Sequence, residues 1–157
     1  MTPHALASDV RSTLDVPPDG RPHLYSRRVR MSDLDSLNHV NNVRLLEMIQ
    51  DAHMDLLYLQ QGRPDQEVRP RAVYSRHELD YLEALVPQPE PVVISTTSGL
   101  VRRASFRLVS RITRGARVYC TCVSTLVAYD PAARCSRRLD EEELTLLARH
   151  AAPDPEL

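Results

Sequence analysis

The longest regular pattern of apolar residues in this chain lies between His39 and Gln61. Apolar residues recur there at spacings of three and four and form two adjacent stripes, one of which includes His53. The pattern predicts a long helix that ends before Gly62. Because the two stripes cover more than half of the helix circumference, we expect a broad surface, such as a curved sheet, to wrap around this helix.

Strand patterns lie on both sides of the predicted helix. The run from His23 to Met31 alternates in part between apolar and polar residues and predicts a first strand. Four more strand-like runs follow the helix, at Ala72 to Ala84, Pro91 to Leu100, Arg103 to Thr113 and Arg117 to Tyr129. The last run is apolar on both faces, which favours a central strand or a strand at a subunit contact.

Two short signals complete the order of elements. Arg114 and Gly115 predict a tight hairpin between the last two strands, and Asp140 with Glu143 predicts a capping-box start for a short helix that runs to about Arg149. The predicted order is one strand, a long buried helix, four antiparallel strands and a short terminal helix. We therefore expect an α+β protein with a five-stranded antiparallel sheet wrapped round one long central helix, the arrangement called the hotdog fold.

Composition and charge limit the domain organisation and the partners. The 157 residues are 42% hydrophobic, which is enough for one domain with a full core. We expect a poorly ordered arm over residues 1–22, a single domain over residues 23–150 and a tail over residues 151–157. The net charge of −1 argues against a nucleic-acid partner. Every basic residue is Arg, so chemistry that needs Lys, such as a Schiff base or a Walker-type phosphate loop, is excluded.

Cysteine content and hydropathy bear on the cellular location. Cys120 and Cys122 lie two apart in a predicted strand, so their side chains share one face and do not easily form a disulfide; Cys135 makes the total odd. The sequence has no apolar run long enough for a signal peptide or a membrane span. We expect a cytoplasmic protein with no membrane span, and a cysteine pair that packs in the core rather than binding a metal ion.

The segment SDLDSLNHVNNV, at the junction between the first strand and the long helix, carries the candidate chemistry. All three Asn residues of the chain lie in it. Unpaired N–H groups at a helix start can polarise a carbonyl, and a carboxylate shortly before them can act as nucleophile or general base. Asp33 and Asp35, in an extended segment, would point to the same side, and neighbouring carboxylates raise one pKa toward neutrality.

The run DLDSLNHVNNVRLLE resembles the signature of the 4-hydroxybenzoyl-CoA thioesterase-like branch of the hotdog superfamily, and it is also similar to the plant acyl-ACP thioesterases. The resemblance covers roughly Tyr25 to Asp130, including the HELDYL strand and the Arg-Gly hairpin. It implies an enzyme that hydrolyses acyl-CoA or acyl-carrier-protein thioesters to a free acid and a thiol. We expect no cofactor for this reaction.

The resemblance also implies roles for particular residues. The catalytic carboxylate of the family falls on Asp35, and a His that the acyl-ACP relatives use in catalysis falls on His39. The backbone amide that polarises the thioester carbonyl would lie near Asn42. The chain departs from the pattern at Asn38, where Gly is common, and at Leu37, where the acyl-ACP thioesterases have Asn. Asn tolerates a positive φ, so the turn can survive the first change.

Each of these candidates also has a plain structural interpretation. Asp35 belongs to a residue type that caps helices, and His39 fits a first-turn His packed against the loop. Asn41 and Asn42 are candidates for bonding strand or partner-subunit backbone. Asn38 and Asn41 are kept as candidate substrate contacts.

Two residues outside the motif are weaker candidates for substrate binding. Glu47 would be a second active-site acid on the helix, or else an exposed or dimer-facing side chain. Arg103, together with Arg102 and Arg107, would hold the phosphates of coenzyme A, or else is an ordinary surface Arg.

Two other functions remain open at this point. Hotdog hydratases and dehydratases also use an Asp and a His near this helix, and some hotdog domains bind acyl thioesters without turning them over. In each case we expect a homodimer or homotetramer, because a monomer would expose apolar sheet edges and because the sites of the family lie at dimer interfaces.

Overall fold

The long helix starts later than the apolar pattern predicts. The computed structural model describes residues 20–59 and 71–152, and in it helix α1 spans Asn42–Met54 and continues as a π-helical segment over Asp55–Leu59. Asn41 is the N-cap, with an extended backbone and a side chain that accepts a hydrogen bond from Val43 N at 2.9 Å. The predicted helix end at Gln61 and its stop at Gly62 lie outside the described residues.

The strands form one antiparallel sheet, as predicted. Its strands are β1 (His23–Arg27), β2 (Ala72–Tyr81), β3 (Val92–Gly99), β4 (Ser105–Arg114) and β5 (Arg117–Asp130), in the spatial order β1-β3-β4-β5-β2. A short strand, β6 (Cys135–Ser136), pairs with β5 and was not predicted. Strand β5 lies between β4 and β2, which confirms the central position that its two apolar faces suggested. The sheet curls around α1, so the hotdog fold is confirmed.

The local signals at both ends of this sheet are confirmed. Gly115 has a φ of 58° in the hairpin between β4 and β5. Helix α2 (Glu141–Arg149) begins with a capping box, in which Asp140 Oδ1 accepts from Glu143 N and Glu143 Oε2 accepts from Asp140 N, both at 2.9 Å.

Most of the predicted arm and tail, residues 1–19 and 153–157, lie outside the described residues. Within the described part of the chain, no helix is long and apolar enough to cross a membrane.

In the described part of the chain, the core consists of two apolar clusters. The first surrounds the beginning of α1 and includes Met48 and Ile49, whereas the second surrounds its end and includes Leu56 and packs against α2 through Leu147. Polar residues separate them on the inner face of the sheet. Along β4, Ser110 lies between Ile112 of the first cluster and Leu108 of the second.

We call these separating residues the polar belt. Its members face each other across the helix–sheet interface: His23, Gln50, His53, Tyr74, His77, Thr96, Ser110 and Ser124. Four of the five members with buried side chains come from the sheet, and the fifth, His53, comes from α1. The sequence pattern placed His53 on a buried stripe of the helix, which is confirmed, and the structure adds that its imidazole bonds to the polar side chains of Tyr74 and Ser110.

Candidate active site

The segment from Asp33 to Asn41, here called the Asp35 loop, is closed by its own backbone. Leu34 and Val40 form an antiparallel bridge, and Asp35 N donates to His39 O at 2.8 Å. Asn38 lies at the tip with a φ of 61°, and its N–H donates to Asp35 O at 3.1 Å. The expectation that Asn replaces Gly in this turn by accepting a positive φ is confirmed.

The Asp35 carboxylate uses one oxygen to hold this loop. Asp35 Oδ1 accepts hydrogen bonds from Leu37 N at 2.9 Å and from His39 N at 3.1 Å. Within the described residues, Oδ2 has no hydrogen-bond partner, and the residue is half-buried. The alternative that Asp35 caps the helix is wrong, because Asn41 does so. One carboxylate oxygen is therefore fixed while the other stays open to a reactant.

Asp33 has a different environment from Asp35. Residues Met31–Asp33 form a short 3-10 helix rather than an extended segment, and Asp33 is only 2% exposed. Its carboxylate accepts from Arg30 N at 2.8 Å and pairs with Arg27 at 3.2 Å, and its carbonyl accepts from Asn41 N at 2.9 Å. The expectation of two carboxylates on one side of an extended segment is therefore wrong. Asp33 instead anchors both ends of the Asp35 loop.

The start of α1 directly follows this loop. Val43 N donates to the Asn41 side chain, and Leu45 N donates to Asn41 O at 3.2 Å. The Asn42 amide, at the first helical position, is one of the N–H groups that a helix leaves without an intrahelical acceptor. The amide directly follows the Asp35 loop, and its assignment as the carbonyl-polarising group stays a prediction. Asn41 has the structural function of a helix cap.

His39 is a half-buried residue at the end of the Asp35 loop. Its backbone N–H and C=O both bond to Asp35, so the positions of the two residues are coupled. In the part of the chain that the structure describes, the imidazole has no hydrogen-bond partner. The loop thus brings together a carboxylate, an imidazole and a helix N-terminus within a few residues, which is the combination that the motif predicts.

The two weaker candidates, Glu47 and Arg103, lie apart from the Asp35 loop within the described part of one chain. Glu47 pairs with Arg44 at 2.5 Å on the open side of α1, and both side chains are nearly half exposed. Arg103 is exposed and lies between β3 and β4, where its carbonyl accepts from Leu139 N at 3.0 Å. The Asp35 loop follows β1, whose end pairs with Val92 at the opposite end of β3. Arg103 is therefore about the length of a strand away from Asp35.

The centre of the polar belt is a hydrogen-bond chain that sequence reasoning missed. His53 Nδ1 lies 3.1 Å from Tyr74 Oη, and His53 Nε2 lies 2.9 Å from Ser110 Oγ, which in turn is 2.8 Å from Thr96 Oγ1. Burial lowers the pKa of His53 to about 3, so the imidazole is neutral at physiological pH. The available signal was the presence of Ser and Thr at inward positions of predicted strands.

The belt continues to the edge of the sheet at β2. His77 Nδ1 lies 2.8 Å from Ser124 Oγ, and His77 Nε2 lies 3.2 Å from the side-chain nitrogen of Gln50. Burial also lowers the pKa of His77. The rings of Tyr74 and His77 lie 4.6 Å apart and join the two parts of the belt.

Burial makes Cys120 and Cys122 unsuited to nucleophilic or metal-binding chemistry. Cys120 and Cys122 are buried in the first apolar cluster, which confirms their predicted core position. Burial raises the pKa of Cys120 to about 12 and also raises that of Cys122, so both remain thiols at neutral pH. Among residues 20–59 and 71–152, no group of three or more His, Cys, Asp or Glu side chains is placed to hold a metal ion.

Comparison with known proteins agrees with the motif and the fold. The family description that matches is the thioesterase-like superfamily, over residues 29–156. No curated protein sequence matches the chain. A thioesterase from Thermus thermophilus, solved with coenzyme A and Zn, is 25% identical and has a TM-score of 0.70, with 83% of this chain and 96% of that chain covered.

Two further solved structures share the fold at lower identity. A predicted thioesterase from Bacillus stearothermophilus is 19% identical with a TM-score of 0.75, and 83% of this chain and 96% of that chain are covered. A 1,4-dihydroxy-2-naphthoyl-CoA thioesterase from Synechocystis is 16% identical with a TM-score of 0.67, and 80% and 95% are covered. Since the family match spans most of the chain and the fold agrees with it, the chain belongs to the thioesterase-like superfamily and is a hotdog-type enzyme that hydrolyses thioesters.

Proposed function

We propose that the protein hydrolyses acyl-CoA thioesters, with acyl-carrier-protein thioesters as the second candidate substrate, and that Asp35 is the catalytic carboxylate. The observation that carries this proposal is that the two carboxylate oxygens of Asp35 have different hydrogen-bond partners. Oδ1 holds the loop through two backbone amides, whereas Oδ2 has no hydrogen-bond partner among the described residues and belongs to the loop that directly precedes α1. A reacting group whose position is fixed in this way loses little freedom when the substrate binds.

The reaction follows from this geometry. The thioester carbonyl binds at the first turn of α1, where the Asn42 N–H and the helix dipole stabilise the oxyanion. Asp35 either takes a proton from water, which attacks the carbonyl carbon, or attacks that carbon itself to form an anhydride that water then cleaves. The C–S bond breaks, the thiolate leaves and receives a proton, and the acyl group departs as the free acid. His39, whose position is coupled to that of Asp35, is the candidate that protonates the thiolate.

Coenzyme A is the preferred thiol because the Thermus thermophilus neighbour was solved with it. We do not assign the phosphates of coenzyme A to Arg103, since that residue lies at the opposite end of β3 from the Asp35 loop of its own chain. Asn38 and Asn41 have structural functions in the turn and the helix cap, and neither is required as a substrate contact in this proposal. The odd number of cysteines fits a reducing cytoplasm as the place of action.

We also propose that the enzyme is a homodimer, with a homotetramer as the larger alternative, formed along the edge of β2. Among the described residues β2 pairs only with β5, which leaves its other edge without a strand. Exposed apolar side chains lie along it and just after it, with Val73 44%, Tyr81 46% and Leu82 55% exposed. Light scattering at micromolar concentration checks the assembly, and a monomer there would contradict it.

Substitution of Asp35 by Asn tests the catalytic assignment. An Asn side chain keeps the oxygen that accepts from Leu37 and His39 but removes the charge and the basicity of the second oxygen. We expect kcat for thiol release to fall about 10²–10⁴-fold, with an unchanged melting temperature. The assay uses a panel of acyl-CoAs, repeated with acyl-carrier proteins.

Asp130→Asn is the matched control for this substitution. Asp130 Oδ1 also accepts from two backbone amides, Ala132 N at 2.9 Å and Ala133 N at 3.1 Å, but Asp130 is the last residue of β5 and holds the exposed turn that follows it. This variant should retain wild-type activity. Asp35→Asn that releases thiol as fast as the wild type would overturn the assignment, and hydration of an enoyl-CoA without thiol release would point to a hydratase instead.

A further inference from the structure

One side of α1 faces strand β2 through three successive polar contacts. Tyr81 Oη approaches Asn42 O at 3.5 Å at the start of the helix. Gln50 contacts His77 at 3.2 Å further along, and His53 contacts Tyr74 at 3.1 Å beyond that. We call this line of contacts the α1–β2 seam. It begins at the candidate carbonyl site and runs into the polar belt.

Among residues 20–59 and 71–152, no element of the same chain covers the outer side of the seam, which in the proposed dimer faces the partner subunit. Strand β2 is an edge strand among the described residues, and both Gln50 and His77 are half-buried. Val43 on the helix is 64% exposed and Tyr81 on the strand is 46% exposed, so apolar side chains flank the approach to the polar pair. An acyl chain whose thioester lies at Asn42 would run along this side of the helix toward Gln50.

The length of this path follows from helix geometry. Gln50 lies eight residues after Asn42, and a helix rises about 1.5 Å per residue, so the two are about 12 Å apart along the axis. The side chain of Gln50 tilts back toward the helix N-terminus, which shortens the distance. A medium-length acyl chain therefore reaches Gln50 and His77 with its far end.

The side chains of Gln50 and His77 are suited to bind an oxygen atom of the acyl group. If Gln50 donates an N–H to His77 Nε2, the other imidazole nitrogen carries the proton and donates to Ser124 Oγ. The Gln50 amide then has a second N–H and a carbonyl oxygen with which to bind a ligand. A plain hydrocarbon placed there would remove water from these polar groups without replacing their hydrogen bonds, which is unfavourable.

We propose that Gln50 and His77 form a hydrogen-bonding subsite in the α1–β2 seam that selects medium-length acyl groups carrying a hydroxyl or carbonyl oxygen at their far end. The inference rests on the proposed function, because Asn42 is taken as the place of the thioester carbonyl. It concerns specificity only, so Gln50 and His77 take no part in bond cleavage.

The experiment compares pairs of substrates that differ by one oxygen. The probes are ω-hydroxyacyl-CoAs from hexanoyl to dodecanoyl, each measured beside its unsubstituted counterpart. We expect the wild type to prefer one or more of the hydroxylated chains by about tenfold in kcat/KM, as one half-buried hydrogen bond allows. Gln50→Met, which has a similar shape but lacks the amide group, should abolish this preference by lowering kcat/KM on the hydroxylated chains and raising it on the unsubstituted ones.

A second variant tests the subsite independently, and a control variant tests whether the effect is specific to it. His77→Phe should also abolish the preference, and it serves if Gln50→Met does not fold. Glu78→Gln is the control, because Glu78 is on the same strand but is exposed and pairs with Arg76 at 2.7 Å. Equal rates on both members of every pair, or a preference that survives in the folded variants, would overturn the subsite alone. Failure of the wild type to hydrolyse any acyl-CoA would overturn the proposed function and the subsite together.

Discussion

The Asp35 loop and the polar belt both contain histidines and hydrogen-bonded polar side chains, but they are built in opposite ways. In the loop, Asp35 bonds to residues two and four positions later. In the belt, His53 bonds to residues 21 and 57 positions away, and His77 bonds to one 47 positions away. The loop is a local structure, whereas the belt exists only when the whole sheet has closed around α1.

The two regions also differ in exposure, and this separates their tasks. His39 in the loop is half-buried, and its imidazole makes no hydrogen bond within the described residues, so its ring nitrogens are not committed to holding the fold. His53 in the belt is fully buried, and both of its ring nitrogens have partners. A polar group in the first setting can react, and a polar group in the second setting holds the fold together.

The largest expected effect is on stability. We expect His53→Ala to lose much more free energy of unfolding than His39→Ala. Removal of the His53 ring leaves Tyr74 and Ser110 without their partner and creates a cavity, so we expect the free energy of unfolding to fall by about 3 kcal/mol. His39→Ala should change it by less than about 0.5 kcal/mol but should lower kcat. Urea denaturation and thiol release, measured on both variants, check the two expectations.

Similar stability and activity of the two variants would contradict the proposed difference between the Asp35 loop and the polar belt. Equal losses of unfolding free energy would mean that the Asp35 loop contributes to stability as much as the belt does. A His53→Ala protein that remains folded at low temperature should hydrolyse thioesters at close to the wild-type rate. A large fall in its kcat would instead make His53 part of the reaction.

The next effect is a pH dependence of stability that comes from the belt. Burial lowers the pKa of His53 from 6.5 to about 3, so the unfolded chain takes up a proton as the pH falls below 6.5 while the folded chain does not. Stability is therefore complete above the unfolded pKa and falls with decreasing pH, by up to about 1.4 kcal/mol per pH unit for one proton. The lowered pKa of His77 acts in the same direction.

Urea denaturation at a series of pH values between about 5 and 6.5, the range just below the unfolded pKa of His, measures this slope. His53→Gln removes the titrating group and retains a hydrogen-bonding side chain, so its slope should be shallower than that of the wild type by close to one proton. Parallel slopes for the two proteins would show that His53 takes up its proton in the folded state, in contradiction to its burial.

The features that could be predicted from the sequence depend on residues close to one another. The positive φ of Asn38 and the capping box of Asp140 and Glu143 are each determined within a few positions, and the pattern of apolar residues suffices for the presence and order of α1 and of strands β1 to β5. The motif around Asp35 belongs to the same class, because its hydrogen bonds are local.

The features that could not be predicted depend on strand register or on competition between similar residues. Ser110 pairs with Thr96 and contacts His53 only because β3, β4 and α1 meet in one particular register. The start of α1 at Asn42 follows from the choice of Asn41 as cap, when Asp35 and Asn38 are also suitable residue types. The anchoring role of Asp33 requires Arg27, which is contributed by β1.

The smallest expected effect concerns Glu47, which lies on α1 between the two regions. The Arg44–Glu47 pair is exposed, and ion pairs of this kind often contribute nothing measurable to stability. Glu47→Gln should therefore leave both the melting temperature and kcat unchanged, and Arg44→Gln should do the same. If Glu47 were a second active-site acid, Glu47→Gln alone would lower kcat by about 10²–10⁴-fold at an unchanged melting temperature. That result would mean that the reactive site extends from the Asp35 loop along α1 as far as Glu47. The reactive site would then no longer be confined to residues that are close in sequence.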